Sequence, residues 1–136
     1  KNFNLTKLIK NKNITIPHDF VVKTKTGNRN VLAGEVGIDE SMVDIGRSSV
    51  LSLIEKINKA KFILWNGPLG KLPNSTKRIL ESVACSKAVS IIGGGDTVEI
   101  ISKYKMETNF SFVSTGGGAT IEFLANKTLP GIKALG

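Results

Sequence analysis

Residues 88–98 have the sequence AVSIIGGGDTV, in which an apolar run stops at three glycines before Asp96 and Thr97. Two similar stretches lie on either side of it: KFILWNGPLG at 61–70 and FSFVSTGGGA at 110–119. Each apolar run is typical of a buried strand, and apolar residues at helical spacing follow each run. Strand and helix therefore alternate three times. This alternation predicts βαβ units, and hence an α/β fold with a three-layer arrangement in which helices cover a parallel sheet.

The patterns outside these stretches are weaker. A helix is predicted after Gly46, with Ser48 or Ser49 as its N-cap. Upstream of it, the sequence predicts a helix over 2–12 and strands over 14–16 and 20–22, which Pro17 separates. A polar turn is predicted over 23–30, followed by a short strand over 31–33 and an irregular acidic segment over 34–41. Downstream, strands are predicted over 61–65, 88–92 and 110–113, and helices over 75–86, 97–103 and 119–125. One α/β layer system is expected to account for the whole chain.

The composition limits the classes of protein that the chain could represent. Its 136 residues are 40% hydrophobic, which suits one globular domain with an adequate core. No apolar run approaches the roughly 20 residues that span a bilayer, and no signal peptide is expected. The single cysteine, Cys85, excludes a disulfide framework and an all-cysteine zinc site and fits a reducing compartment. Because the chain starts at Lys1 without Met, we expect a domain cut from a longer protein.

The chain carries a net charge of +8, from 19 basic and 11 acidic residues. Such a charge favours anionic partners such as nucleic acid, phosphorylated metabolites or acidic membrane. The lysines are scattered, however, and aromatic residues make up only 6% of the chain, which is thin for stacking on bases. A solvated basic surface is therefore the favoured explanation, and no nucleic-acid partner is expected.

The loops that follow the three predicted strands hold the strongest functional candidates. Ligands of parallel sheets bind at the carboxyl ends of the strands, where these loops should meet. Glycine lets a ligand approach the backbone, and the unpaired amides that open the next helix attract anions. Together these features predict a phosphate-binding site. A single glycine triplet is more often a tight turn, but two triplets on one edge favour the site.

Several side chains have more than one interpretation. Asp96 is either a helix N-cap or a ligand of Mg²⁺, which takes one or two carboxylates together with substrate phosphates. Neither triplet has the spacing of the P-loop or of the dinucleotide-binding motif. Structural roles are favoured for His18, Trp65 and Cys85, the last as a small apolar residue, and solvation is expected for Glu35, Asp39 and Glu40.

In this order and at these separations, the three loops resemble phosphoglycerate kinase. The matching stretches are LWNGPLG at 64–70, IIGGGDTV at 91–98 and VSTGGGA at 113–119, and LPGIKAL at 129–135 matches the closing segment of the family. Residues 17–22 and 43–46 match more loosely. The resemblance covers nearly the whole chain.

The resemblance implies a fold and a reaction. The family has two Rossmann-like domains that close on each other, with 3-phosphoglycerate on the N-terminal domain and Mg-ADP or Mg-ATP on the C-terminal one. Residues 1–136 resemble a single partial C-terminal nucleotide-binding domain, with the N-terminal substrate domain absent. The implied activity is that of a glycolytic phosphotransferase, which moves a phosphoryl group between 1,3-bisphosphoglycerate and ADP and so gives 3-phosphoglycerate and ATP. The protein would be a cytoplasmic monomer with small-molecule partners and no membrane partner.

The resemblance also implies roles for individual residues. Asn66 would reach the nucleotide phosphates. The cradle of the terminal ADP phosphates would consist of Gly93, Gly94, Gly95, Asp96 and Thr97, with Asp96 holding Mg²⁺. The transferred phosphoryl group would be stabilised by Gly95, Gly116, Gly117 and Gly118. Such roles suit a reaction in which catalysis is mainly positioning and charge stabilisation.

The chain departs from the family pattern at two positions. Pro73 stands where a glutamate normally holds the ribose hydroxyls, and Arg47 stands where a proline is usual. An early segment of the C-terminal domain, which contacts adenine and phosphates, is also absent. Two alternatives stay open: a catalytically inactive nucleotide- or phosphate-binding module derived from the family, which Pro73 favours, and a basic nucleic-acid module, which only the net charge supports. The chain by itself is expected to be inactive as a kinase.

Overall fold

The structure, a computed structural model, describes residues 9–135 and contains two separate three-stranded sheets. The strands are β1 (Asp19–Thr24), β2 (Gly27–Leu32), β3 (Ser41–Ile45), β4 (Phe62–Asn66), β5 (Val89–Gly93) and β6 (Phe112–Ser114). The α-helices are α1 (Arg47–Lys59), α2 (Pro73–Cys85), α3 (Gly95–Lys103), α4 (Gly117–Asn126) and α5 (Pro130–Ala134). Of the helix predicted over 2–12, residues 2–8 lie outside the described residues, and residues 10–12 are not helical. None of the helices within 9–135 has the length and apolar character that crossing a membrane requires.

The parallel sheet has the strand order β4-β5-β6, and both of its pairings are parallel. Helix α2 connects β4 to β5, helix α3 leads from β5 towards β6, and α4 follows β6. All the strands and helices predicted downstream of residue 60 are present. The α/β class, with helices flanking a parallel sheet, is therefore confirmed.

One face of the parallel sheet forms the core. Trp65, Ile92 and Val113 are register neighbours on that face, and Ile92 is fully buried. The apolar residues of α1, α2 and α3 that recur at helical spacing pack into the same cluster: Val50, Ile57, Ile79, Leu80, Val83 and Ile101. Burial of these stripes explains why the three helices lie on one side of the sheet.

The opposite face of the parallel sheet remains largely exposed and apolar. Phe62 pairs with Val89, and their side chains are 56% and 53% exposed. Phe112, which pairs with Ile91, is 59% exposed. We call Phe62, Val89 and Phe112 the uncovered sheet face. Its exposure is unusual, because parallel sheets are normally covered on both faces.

Residues 19–45 form an antiparallel sheet of order β2-β1-β3. The strand predicted over 20–22 lies within β1, but the polar turn predicted over 23–30 is wrong because residues 27–30 belong to β2, and the pairing into a sheet was not predicted. The expectation that one layer system accounts for the whole chain is therefore wrong. Strand β2 buries only Val31, and this explains why it lacks the apolar pattern of a strand. The strand predicted over 14–16 is absent because Ile14 and Ile16 are exposed and pair with no neighbouring strand among the described residues.

Candidate functional site

The loops at the carboxyl ends of β4, β5 and β6 meet at one point, as the sequence predicted. The amide of Gly67 donates a hydrogen bond of 3.2 Å to the carbonyl oxygen of Gly93, which joins the first loop to the second. The side-chain oxygen of Asn66 lies between the second and third loops. A β-carbon on Gly94, where φ is +95°, would lie 3.0 Å from that oxygen, and one on Gly117 would lie 2.5 Å from it. Only glycine therefore fits at these two positions, and the loops close around Asn66.

Two helices begin at this junction with open first turns. Helix α3 follows the N-cap Gly94, and helix α4 follows the N-cap Gly116. Neither N-cap makes a side-chain hydrogen bond to its helix. The first amides of a helix have no partner inside the helix, and they lie at the positive end of its dipole. The junction therefore presents two sets of amides to an anion.

The glycines predicted to contact the transferred phosphoryl group differ in accessibility. Gly95 and Gly118 are exposed, and a β-carbon on either would have no neighbour within 4 Å. Gly116 is also exposed, and its amide donates a hydrogen bond of 3.2 Å to the Ser114 hydroxyl. Gly117 is buried. A ligand could therefore reach the backbone at Gly95 and Gly118, whereas Gly117 allows the close packing of the loops.

Asp96 is exposed in the first turn of α3. The N-cap of this helix is Gly94 and no side-chain cap is present, so the interpretation of Asp96 as a plain N-cap is not supported. Within residues 9–135, no group of three His, Cys, Asp or Glu side chains could hold a metal ion. A cation at Asp96 would therefore need oxygen atoms from a ligand. That donor set suits Mg²⁺, which binds one or two carboxylates together with phosphates.

Thr97 follows Asp96 and is fully buried. Its hydroxyl has no hydrogen-bond partner among the described residues. An unsatisfied buried hydroxyl costs about 1–3 kcal/mol. Because this hydroxyl is buried beneath the surface, the structure does not place it within reach of a ligand beside Asp96.

A groove of about 690 Å³ runs from Asp96 to the antiparallel sheet. Residues 68–73, which connect β4 to α2, form one wall of it, and Met42 and Val43 of β3 form part of another. The amide of Lys71 donates a 2.8 Å hydrogen bond to the carbonyl oxygen of Val43, which fixes the connection on β3. Pro73 lines the groove as the first residue of α2. The position that the resemblance gives to a ribose-binding glutamate thus lies in the groove wall but offers no acceptor.

Asp44, near the end of β3, caps helix α2 from outside the helix. Its Oδ2 accepts a hydrogen bond of 3.2 Å from the amide of Ser75, and its Oδ1 accepts one of 2.9 Å from the amide of Ile45. The Asp44 side chain is buried, and the N-cap residue of α2, Leu72, supplies no side-chain acceptor. The antiparallel sheet therefore satisfies the N-terminus of α2 and holds the groove wall in place.

Asp19, at the start of β1, caps helix α1 in the same way. Its carboxylate accepts hydrogen bonds from the amides of Ser48 at 2.9 Å and Ser49 at 2.8 Å, and from the Ser49 hydroxyl. The N-cap of α1 is Gly46, so the prediction that Ser48 or Ser49 is the N-cap is wrong. Both serines lie inside the first turn and donate hydrogen bonds to a carboxylate from the sheet.

Asn30 of β2 completes this cap. Its side-chain oxygen accepts a hydrogen bond of 3.1 Å from the amide of Arg47, and its amide nitrogen donates one of 3.1 Å to Asp19. Burial raises the pKa of Asp19, but the hydrogen bonds from Ser49, Ser48 and Asn30 outweigh this effect and lower the pKa from 3.8 to about 2. The cap therefore stabilises the ionised carboxylate.

Trp65 has the structural role that was favoured, whereas His18 does not pack in the interior. Trp65 is half-buried against the core, and its indole N–H donates a hydrogen bond to the carbonyl oxygen of Gly67. His18 is exposed, lies 3.1 Å from the Ser48 hydroxyl, and donates its backbone amide to the Ser49 hydroxyl at 3.0 Å.

Two of the other expectations need correction. Cys85 is exposed at the end of α2, so it is not a small apolar residue of the core. Glu40 is not simply solvated, because Arg29 donates two hydrogen bonds of 2.8 Å to its carboxylate. The hydrogen bond from Arg29 is the main cause that lowers the pKa of Glu40. This pair fastens β2 to the segment before β3.

Comparisons with known proteins find the same family that the sequences of the three loops resemble. The family model described as phosphoglycerate kinase matches residues 3–127. A phosphoglycerate kinase of Blochmanniella floridana is 40% identical over 139 residues, which cover 94% of this chain and 34% of the relative. One of Wigglesworthia glossinidia brevipalpis is 41% identical over 143 residues, which cover 96% of this chain and 36% of the relative.

A solved structure gives the same result. The phosphoglycerate kinase of Coxiella burnetii aligns with a TM-score of 0.79 at 32% identity, over 95% of this chain and 36% of that one. The chain therefore spans about a third of the length of the relatives it matches.

Proposed function

The chain belongs to the phosphoglycerate kinase family, and from this premise we propose that it forms part of the Mg-nucleotide site of such an enzyme. The proposed reaction is reversible phosphoryl transfer from 1,3-bisphosphoglycerate to ADP, giving 3-phosphoglycerate and ATP. The whole protein would carry out this glycolytic step in the cytoplasm as a monomer that binds only small molecules. The observation that most supports the proposal is the meeting of two open helix termini at Asn66.

In this proposal, the terminal phosphates of ADP lie against the first turn of α3. The exposed backbone of Gly95 and Asp96 would donate hydrogen bonds to phosphate oxygens. The side chain of Asn66 is exposed, and its amide nitrogen would donate to the same phosphates. Gly93 and Gly94 would let the phosphates approach the backbone, because a side chain at Gly94 would fill the space beside Asn66.

Asp96 is the proposed residue for Mg²⁺. When bound, this ion neutralises the charge on the phosphate oxygens. Asp96 is exposed at one end of the groove, so its carboxylate would orient toward a ligand there. Because it lacks a cluster of neighbouring acidic side chains within the described chain, it would hold the ion only together with the nucleotide.

The first turn of α4 is proposed to stabilise the transferred phosphoryl group. The amides of Gly117 and Gly118 open this helix, and Gly118 is exposed. Fixed amides aimed at a developing charge lower the barrier without needing to reorganise during the reaction. The chain would thus contribute positioning and charge stabilisation, as phosphoryl transfer requires.

We also propose that the chain is only part of a C-terminal nucleotide-binding domain, and that it does not contain the substrate domain. Two observations support this proposal. The chain spans about a third of its relatives, and the uncovered sheet face exposes about half of the side-chain surface of Phe62, Val89 and Phe112. The remaining part of such a domain would cover this face, because parallel sheets are normally buried on both sides.

A calorimetric titration with ADP tests the nucleotide site. Wild-type protein and Asp96→Asn are each titrated in the presence of Mg²⁺ and of a chelator. We expect measurable affinity in the wild type with Mg²⁺, and weaker binding in the other three titrations. Equal affinity in all four would show that Asp96 does not hold Mg²⁺.

A second candidate function is a catalytically inactive phosphate-binding module of the same family, and Pro73 favours it. A glutamate at this position could form charge-assisted hydrogen bonds to the ribose, each worth about 1.5–3 kcal/mol, whereas proline has no acceptor in its side chain. If the module has lost nucleoside recognition, ADP binds little better than pyrophosphate, and Pro73→Glu but not Pro73→Ala widens the difference. A wild-type preference for ADP of about a thousandfold, which is about 4 kcal/mol, would count against the inactive module.

A further inference from the structure

A second groove lies between the first turns of α1 and α2, and it is separate from the proposed nucleotide groove. It has a volume of about 320 Å³. Its polar lining consists of Arg47, Arg78, Asn30, Asn74 and Ser75. We call it the arginine groove. It shares only Ile45 with the larger groove.

The arginine groove concentrates positive charge without a compensating partner. Arg47 and Arg78 are both exposed, and neither forms an ion pair with a described residue. No acidic side chain of residues 9–135 lines the groove. Asp19 and Asp44, which bond to the groove residues Asn30 and Ser75, are buried and accept hydrogen bonds from helix amides. The two guanidinium groups are therefore available to a ligand.

Both arginines stand on elements that the antiparallel sheet holds in place. Arg47 is the first residue of α1, and its amide donates to Asn30. Arg78 follows Ser75 by almost one helical turn on α2, and the amide of Ser75 donates to Asp44. A site on fixed elements loses less freedom when it binds a ligand.

We propose that the arginine groove binds the phosphate group of a small phosphorylated molecule. The planar fork of a guanidinium matches phosphate oxygens in pairs, and Asn74 adds an amide donor beside Arg78. The volume of the groove, about 320 Å³, leaves space for a phosphate group. Val21 and Val50 in its lining offer an apolar surface to the rest of the molecule.

The proposal does not depend on the proposed kinase function. Its two arginines, Arg47 and Arg78, line no part of the larger groove that ends at Asp96. The two proposed sites can therefore be tested separately.

The test is a residue-resolved NMR titration of backbone amides with inorganic phosphate at constant ionic strength. We expect saturable shifts at Arg47, Asn74, Ser75 and Arg78. Because each guanidinium contributes charge-assisted hydrogen bonds, Arg47→Gln and Arg78→Gln should each weaken this binding about tenfold or more. Lys25→Gln removes the same charge from the hairpin turn and should change the affinity less than about twofold.

The outcomes separate this inference from the kinase proposal. Shifts at α3 and α4 without a saturable response at the groove would overturn the arginine groove and leave the nucleotide site standing. Equal affinities of the two arginine variants and Lys25→Gln would also overturn it, because the effect would then reflect net charge. A short single-stranded oligonucleotide that saturates the groove at a lower concentration than phosphate does would contradict the assignment to a small molecule.

Discussion

The four longer helices that follow strands begin in two different ways. Helices α1 and α2 receive buried carboxylates from the antiparallel sheet, Asp19 and Asp44, at their first turns. Helices α3 and α4 begin after glycines and receive no side-chain cap. The amides at all four starts have the same need for an acceptor. For α1 and α2 the antiparallel sheet supplies that acceptor, whereas the first amides of α3 and α4 stay available to a ligand.

The two sheets therefore have different structural roles. The antiparallel sheet provides carboxylates that position α1 and α2, and with them one wall of the proposed nucleotide groove. The parallel sheet brings three glycine loops to one point. Stability should therefore depend on the capped helix starts, and ligand binding on the open ones.

The largest expected effect is the loss of kinase activity when the open helix starts are present without the rest of the enzyme. We predict no measurable kinase turnover from these 136 residues, because the acyl-phosphate site belongs to a domain that the chain is proposed to lack. Bringing two reactants together can contribute about 7–11 kcal/mol to such a reaction. A coupled assay of ATP formation checks this, with a full-length relative as the positive control. Turnover at a rate similar to that of the relative would contradict the prediction.

The next effect compares a capped helix start with an open one through the same substitution. Asp19→Asn should lower the free energy of unfolding by about 3 kcal/mol, because it places an amide group against buried donors. Asp96→Asn should change it by less than about 0.5 kcal/mol, because Asp96 is exposed. Urea denaturation of both variants and wild type measures the difference. Equal losses would show that the two helix starts do not differ in structural role.

The contrast between the sheets also explains how much of the structure the sequence could predict. Strands β4 and β5 are mostly apolar, and glycines mark their ends, so the parallel sheet and its loops were predictable. Strand β2 has the sequence GNRNVL with one buried residue, and β3, with the sequence SMVDI, begins with two exposed residues and contains an aspartate. Half-exposed strands of this kind give no continuous apolar run. The antiparallel sheet was missed for that reason.

The caps were missed because they come from far along the chain. Asp19 bonds to Ser48, 29 residues away, whereas a sequence-based search for caps looks immediately before the helix. The available signal was an aspartate beside apolar strand residues, at Asp19 before Phe20 and at Asp44 between Val43 and Ile45. Aspartate is depleted in strands. Its presence there indicated a specific partner.

A smaller effect is the change in the free energy of unfolding with pH that Asp19 causes at the capped start of α1. The folded pKa of Asp19 is about 2 and its ordinary value is 3.8. The depressed folded value means that the ionised cap contributes its full stability above 3.8, and the contribution is lost as the pH falls through 2. The shift corresponds to about 2 kcal/mol. Between about pH 6 and about pH 2.5, urea unfolding should show a loss of stability in wild type that exceeds the loss in Asp19→Asn by about 1.5 kcal/mol. An equal loss in both would assign the effect to other carboxylates.

The smallest effect comes from converting an open helix start into a capped one. Gly116 has φ −92°, and a β-carbon there would meet its neighbours at no less than 3.8 Å, so aspartate fits. Gly116→Asp should stabilise the protein by about 0.3 kcal/mol relative to wild type and by about 1 kcal/mol relative to Gly116→Ala through a local N-cap, and should weaken ADP binding. Gly116→Ala is the matched control, without a cap. Thermal unfolding and calorimetry measure both effects, and unchanged binding in Gly116→Asp would argue against a role of α4 in the site.

The most direct test of the two kinds of helix start is an amide-resolved NMR titration with Mg-ADP. The amides of α3 and α4 at 95–97 and 117–119 are open. The amides of Ser48 and Ser49 already bond to Asp19, and these residues line neither groove. We predict saturable shifts at the open starts, and none of comparable size at Ser48 and Ser49. Equal shifts at both, or no saturable shift at α3 and α4, would contradict the claim that the open starts bind the nucleotide phosphates.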